Sequence, residues 1–203
     1  MAGAGISVLA EPGMRVPLGA SDEDAATAEQ LQFTVGEGPC LQAHTSALPV
    51  YAPAAVFTAR WPLLYAELTA RTPYRAVLAL PLRYRFTGAL DLYLRRDDPI
   101  APATRYDAYT VGNEIVVALT GPDALDGATR PDGDTDPGWL DSPAARRRQW
   151  VWAAVGMLSV HLYLPAPAAL DALRAAALSR GQLIDDLAED LVSRRLPITD
   201  LRI

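Results

Sequence analysis

Hydrophobic positions come in short bursts along the first half of the chain and in longer helical runs near its end. Gly5 to Leu9 and Arg15 to Leu18 read as two short strands, with the turn residues Glu11-Pro12-Gly13-Met14 between them. Asp22 to Leu31, acidic at its start and rich in alanine, predicts a helix capped by Ser21, with its acids where the helix dipole favours them. Val35-Gly36-Glu37-Gly38-Pro39-Cys40-Leu41 reads as a turn leading into a short helix through His44, followed by Leu48-Pro49-Val50 and another helix around Arg60 to Tyr65. Arg75 to Leu82 and Gly88 to Leu94 are runs of Ala, Val, Leu and Tyr that predict a central hairpin turning near Arg83 to Thr87. Tyr109, Gly112, Val116 and Leu119, spaced by three and four, predict an amphipathic helix over Tyr106 to Leu119.

The pattern then breaks. Gly121 to Asp141 is rich in Pro, Gly, Asp and Thr without periodicity, which predicts a flexible acidic linker over 121–142 between a domain of residues 1–120 and one of 143–203. Ser142-Pro143 opens a long helix, since Ser caps free amides and Pro at the first helical position sacrifices no hydrogen bond. That helix runs to about Leu164, where Pro165 and Pro167 force a break; further helices are predicted over Ala168 to Ser179 and Gln182 to Arg195. Three helices in so short a segment form a bundle that pairing with a second chain would help to stabilise.

Half of the 203 residues are hydrophobic and 21% are charged, as in globular proteins. The formal net charge of −6 divides into −8 over residues 1–142 and +2 over 143–203, so an anionic partner belongs with the C-terminal part. One cysteine, Cys40, excludes an internal disulfide and multi-thiolate metal sites, and His44 and His161 leave little for zinc. The N-terminus has no basic segment followed by an apolar core, which points to a cytoplasmic protein; the strand starting so close to Met1 leaves open that a preceding helix is missing. Trp150 to Leu170 lacks charge and follows Arg146-Arg147-Arg148, the layout of a short anchor. Its two prolines leave about 15 helical residues, or roughly 22 Å, too short for a ~30 Å hydrocarbon core. No nucleophile and base stand in a recognisable motif, and no glycine-rich phosphate loop occurs, so enzymatic activity is not expected.

The phrases Val35-Gly-Glu-Gly-Pro-Cys-Leu41, Arg60-Trp-Pro62, Leu80-Pro-Leu82 and Gly88-Ala-Leu-Asp-Leu-Tyr93, in this order, resemble a GAF domain of the actinobacterial type over nearly all of residues 3–120. Ala154, Gly156-Met157-Leu158, Leu173-Arg174-x-Ala176 and Asp186-Leu187-Ala188 resemble the ANTAR domain of bacterial transcription antitermination regulators. The resemblance implies an α+β architecture: a GAF-like antiparallel sheet flanked by helices, then a three-helix ANTAR-like bundle. It implies a domain that binds a small molecule between sheet and covering loops, or only dimerises, joined to one that binds tandem RNA hairpins and prevents termination. A homodimer would present two bundles to two hairpins and gain by effective concentration.

For the pocket, the aromatic and thiol groups near the covering segments are Phe33, Cys40, Trp61, Tyr65 and Tyr74, which also serve as ordinary core packing. Cys40 lacks a basic neighbour and a resolving thiol, which favours a structural role over redox sensing. For RNA, guanidinium groups pair with phosphate and stack on loop bases, which selects Arg146, Arg147, Arg148, Arg174 and Arg180; the first three also make a solvated helix face, and Arg174 an internal ion pair. ANTAR relatives carry Gln and Lys or Arg where this chain has Ala153 and Val155, and basic residues where it has Gln182 and Leu183. The RNA site implied is therefore weak, and the alternative is a non-catalytic sensor whose helical part contacts protein instead. Trp150, Trp152, Val155, Leu158, Leu162 and Leu164 surround one helix more fully than a single core stripe requires. This predicts a second interface, with a partner chain or with the first domain folded over the bundle and covering its RNA face.

Overall fold

The computed structural model describes residues 3–11, 14–83, 87–120 and 142–201. Its class is mixed α+β: one five-stranded antiparallel sheet and, among the described residues, eight helices. The sequence-predicted linker lies outside the described residues apart from Ser142, as do parts of the turns at residues 12–13 and 84–86.

Strands β1 (Gly3–Glu11) and β2 (Met14–Ala20) form a hairpin, as do β4 (Ala76–Arg83) and β5 (Thr87–Leu94), with Leu80 opposite Leu90. β1 pairs with β5, and the three-residue strand β3 (Val50–Ala52), unforeseen in the sequence, adds to β4, giving the order β2-β1-β5-β4-β3. The period-two alternation of each strand then sorts its side chains between two faces. Leu78, Leu80, Leu82, Leu90 and Leu92 turn to one side and are covered by α5 (Pro102–Thr120) through Ala108 and Val116. Val77, Ala79 and Tyr93 turn to the other, where α1 (Glu23–Val35), α2 (Pro39–Ser46), α3 (Ala54–Arg60) and α4 (Pro62–Arg71) pack. The helix expected around Arg60 to Tyr65 is the junction of two. Trp61 ends α3 and begins α4, leaving Pro62 at a first helical position, where it costs no bond.

The helix after Ser21 is capped by its neighbour. Asp22 accepts from the Ala25 amide at 2.9 Å, while the Ser21 hydroxyl accepts from the Ala4 amide and ties the helix entry to β1. α1 ends at Gly36, whose φ of 81° is the left-handed geometry that glycine adopts freely and whose amide donates to the Gln32 carbonyl at 3.1 Å.

In the C-terminal part, α6 (Pro143–Leu162) is capped by Ser142, which accepts from the Ala145 amide, in agreement with the sequence. It packs with α7 (Ala166–Ser179) and α8 (Ile184–Val192) around Val151, Ala154, Val155, Leu158, Leu173 and Leu187. Among the described residues no single helix is long and apolar enough to cross a membrane; α6 and α7 reach that composition only together, and they are bent by 105° at the proline break. The bundle packs on the N-terminal part: Phe33 of α1 belongs to its core, α1 lies between the sheet and α7 and α8, and α6 lies against β2.

Candidate functional site

The most unusual chemistry lies on the inner face of the sheet, under α1. Asp91 stands mid-way along β5 between leucines, and the strand's alternation turns it inward with Tyr93. From α1, Glu29 and Gln32, one turn apart, point back at the sheet; Ser7 comes from β1 and Arg15 from β2. All five polar groups are buried, and they are connected. Arg15 forms an ion pair with Glu29, donates to Ser7 Oγ at 2.9 Å and to the Glu29 carbonyl at 3.1 Å, and reaches Asp91 Oδ2 at 3.5 Å. Gln32 Nε2 donates to Asp91 Oδ2 at 2.8 Å and to the Tyr93 hydroxyl at 2.9 Å, and that hydroxyl donates to Glu29 Oε1 at 2.7 Å. Gln32 Oε1 accepts from the Cys40 amide at 3.0 Å, so this side chain also fixes the start of α2.

Two acids share one arginine in a space without water contact, so their charges cannot both be easily sustained. Burial pushes the Asp91 carboxyl well above its ordinary value, and the nearby Glu29 charge adds to the rise. Burial opposes the charge of Arg15 too, but the acidic groups around it, Cys40 first and then Glu29 and Asp91, outweigh it and hold its pKa above the ordinary arginine value. The network thus sets Arg15 between Glu29 and Asp91, and Asp91 Oδ1 has no hydrogen-bond partner among the described residues. α1 approaches so closely that a Cβ on Gly5 would stand 2.4 Å from the Glu29 side chain, which explains a glycine inside β1.

The five residues singled out as pocket candidates stand in different surroundings. Trp61, Tyr65 and Tyr74 fill the core beneath the sheet's inner face, with Phe57 against both Trp61 and Tyr65 and Tyr74 stacked on Tyr93. Cys40 is fully buried, 3.7 Å from Ser7 Oγ, and burial pushes its thiol up, away from the reactive thiolate. Phe33 faces away from the sheet altogether, into the helical bundle. An open groove on the opposite sheet face, lined by Ala4, Ile6, Leu18, Leu90 and Ile115, contains none of the five. His44 sits in the last turn of α2, its imidazole held below its ordinary pKa by burial and then by Arg83.

Of the five arginines selected for RNA, Arg147 and Arg148 meet the first turn of α8 and Arg180 lies in the turn before it. Arg147 pairs with Asp186, both half exposed. Arg180 donates to Gln182 at 3.2 Å in the turn before that helix. Arg174, on α7, donates to the Phe33 carbonyl at 3.1 Å and to Asp171 at 3.1 Å. Arg148 departs most from a solvated helix face: it is 2% exposed, its guanidinium lies 3.4 Å from the centre of the Phe33 ring, and Asp185 Oδ1 is 3.3 Å from its Nε. The physical reason is phase along α6: Arg148 lies on the same face as Ala145, Val151 and Val155, whereas Arg146 and Arg147 are exposed.

The two positions that carry polar residues in ANTAR relatives also part company. Ala153 is exposed, and Val155 is buried in the bundle core. Around Ala153, α6 exposes Trp150, Met157 and Val160, and Tyr163 follows at its end. The predicted excess of apolar surface therefore resolves into three faces: a core stripe, a side where Trp152 meets Phe33 edge-on at 6.1 Å, and an open stripe.

The Asp91 network was legible only as an anomaly, an acid amid Ala-Leu-Asp-Leu-Tyr, with Glu29 and Gln32 one turn apart on a helix facing an apolar sheet. In comparisons with known proteins, no family matches the chain and no curated protein does.

Proposed function

We propose that the chain is a cytoplasmic, non-catalytic regulator of the GAF-ANTAR type, in which an N-terminal sensing unit controls RNA-hairpin binding by the C-terminal helices and so opposes transcription termination. The observation that carries this reading is that Arg147 and Arg148 of α6 pair with Asp186 and Asp185 in the first turn of α8, with Arg180 in the turn just before that helix and Arg174 on the adjacent α7. Asp186, Asp171, Gln182 and the Phe33 carbonyl occupy donors of Arg147, Arg174 and Arg180 that phosphate oxygens would use. The sensing role rests on the buried network: a ligand or charge change felt by Glu29, Gln32 or Asp91 acts on α1, the helix in contact with the bundle. Homodimerisation, which would place two bundles against two hairpins, belongs to the same proposal.

A second reading, that the helical part contacts protein and no longer RNA, is favoured by one feature, the open apolar stripe of Trp150, Ala153, Met157, Val160 and Tyr163. Titration of a two-hairpin transcript at two salt concentrations separates them. The RNA reading predicts affinity that falls with salt, because each arginine on a phosphate releases counterions. It also predicts weaker binding and a shallower salt slope for the double variant Arg147→Ala with Arg180→Ala. No binding at low salt would leave the protein-contact reading.

A further inference from the structure

The contact between the two parts of the chain is built unlike either core. The bundle interior is otherwise aliphatic, and the core under α1 is built of aliphatic and aromatic side chains. Beside the packing of α6 on β2 and of Leu183 on that core, the two parts meet at Phe33, with Arg148 stacked on it at 3.4 Å, Arg174 at 5.2 Å and Trp152 edge-on at 6.1 Å. Few other bonds cross: the Ile184 amide donates to Thr34 Oγ1 at 3.1 Å, Arg174 donates to the Phe33 carbonyl, and Arg71 donates to the Gly181 carbonyl at 2.8 Å. Gly36 lets Arg174 in, since a Cβ there would lie 3.1 Å from the guanidinium carbon.

This contact is poorly compensated. Arg148 Nε and Nη1, and Asp185 Oδ2, are buried without a hydrogen-bond partner among the described residues, and the Arg148–Asp185 pair is close but angled away from a hydrogen bond. Burial pulls the Arg148 pKa down to about 10, so at neutral pH the group stays charged where charge is disfavoured. A buried pair of this kind returns less than it costs in lost hydration, and polar contacts between domains are the ones that open.

We infer that Phe33 is a latch: the structure is a closed state in which α1 holds the bundle through Phe33 and sequesters Arg148 and Arg174, and unlatching exposes both. The latch lies one residue from Gln32 and four from Glu29, so a shift of the last turn of α1 moves the buried network and the latch together. The claim that unlatching uncovers RNA-binding groups rests on the RNA reading above; the latch itself does not.

Amide exchange at Ile184 reports the latch directly, because its hydrogen bond crosses to Thr34. Phe33→Leu, which keeps an apolar side chain, is expected to speed Ile184 exchange at least tenfold while the β4 and β5 amides keep theirs. Arg148→Met, which removes the misaligned charge at similar volume, is expected to slow it. Loss of the Arg174 bond in Arg174→Gln, which leaves the core intact, is expected to speed it. Unchanged Ile184 exchange in all three variants, with the strand amides protected, would overturn the latch. If Phe33→Leu speeds exchange and also tightens binding of a two-hairpin RNA, the masking is supported. If it speeds exchange while neither Phe33→Leu nor the unmodified chain binds RNA, the latch stands and the RNA role is overturned.

Discussion

Asp91 and Asp22 are acids in the same fold whose effects on stability run in opposite directions. Asp91 is held above its ordinary pKa by burial and then by Glu29, so between the ordinary carboxyl value and the raised folded one the folded chain keeps a proton that the unfolded chain has released. Its contribution is therefore fully present below the ordinary carboxyl value of about 4 and is lost as pH rises toward and through the raised folded value. Asp91→Asn, neutral at every pH, is predicted to flatten the decline in melting temperature as pH rises above about 4. Thermal melts across that range check it; a slope equal to that of the unmodified protein would mean that Asp91 is ionised in the fold. The charge was visible in the sequence as a lone acid in an apolar strand, but its partners were not. They come from β1, β2 and α1, and only strand order and register bring Ser7, Arg15, Glu29 and Gln32 to one point.

At the scale of the element, α1 is the piece on which both halves depend. It is buried against the sheet by Ala25, Ala28, Glu29 and Gln32 and against the bundle by Phe33 and Thr34. Its start is fixed by Asp22, which accepts from the Ala25 amide and from the Tyr74 hydroxyl at 3.0 Å. The Ser21 hydroxyl and that amide hold the Asp22 pKa below its ordinary value, so its support is present above about pH 4 and is lost as pH falls through the lowered folded value. Asp22→Ala is predicted to cost about 1 kcal/mol as a lost helix cap, read as a lower urea midpoint at pH 7, with the difference vanishing in acid. The hairpin of β4 and β5, the Ser142 cap and the proline break after α6 were legible because each is written in adjacent residues. Trp61 as a break between two helices was not, because α3 and α4 are short and nothing in the local pattern separates them. The same limit applied to Arg148. A run of three arginines looks like one solvated face, yet a 100° step per residue turns one of them inward.

For the whole molecule, α1 touches both a buried charge network and a set of arginines, beside the contacts of β2 with α6 and of Arg71 with Gly181. The sequence foresaw two units and an interface of the helical one with something further; the structure supplies the first unit as one occupant of that interface, through Phe33 and Trp152. Closed, the molecule keeps Arg148 and Arg174 against Phe33; open, it would offer them together with Arg147 and Arg180. On the proposed function, docking and RNA binding compete for the same groups, and a ligand that favours one state weakens the other by the difference in its affinities.

The most direct test is hydrogen exchange at the Ile184 amide of the unmodified chain, with and without saturating two-hairpin RNA. Faster exchange at Ile184 is predicted in the presence of RNA, with protection of β4 and β5 unchanged, because bound RNA takes Arg174, whose bond to the Phe33 carbonyl holds the latch. Equal Ile184 exchange with and without RNA would contradict it, and the helical unit would then have to act without leaving α1.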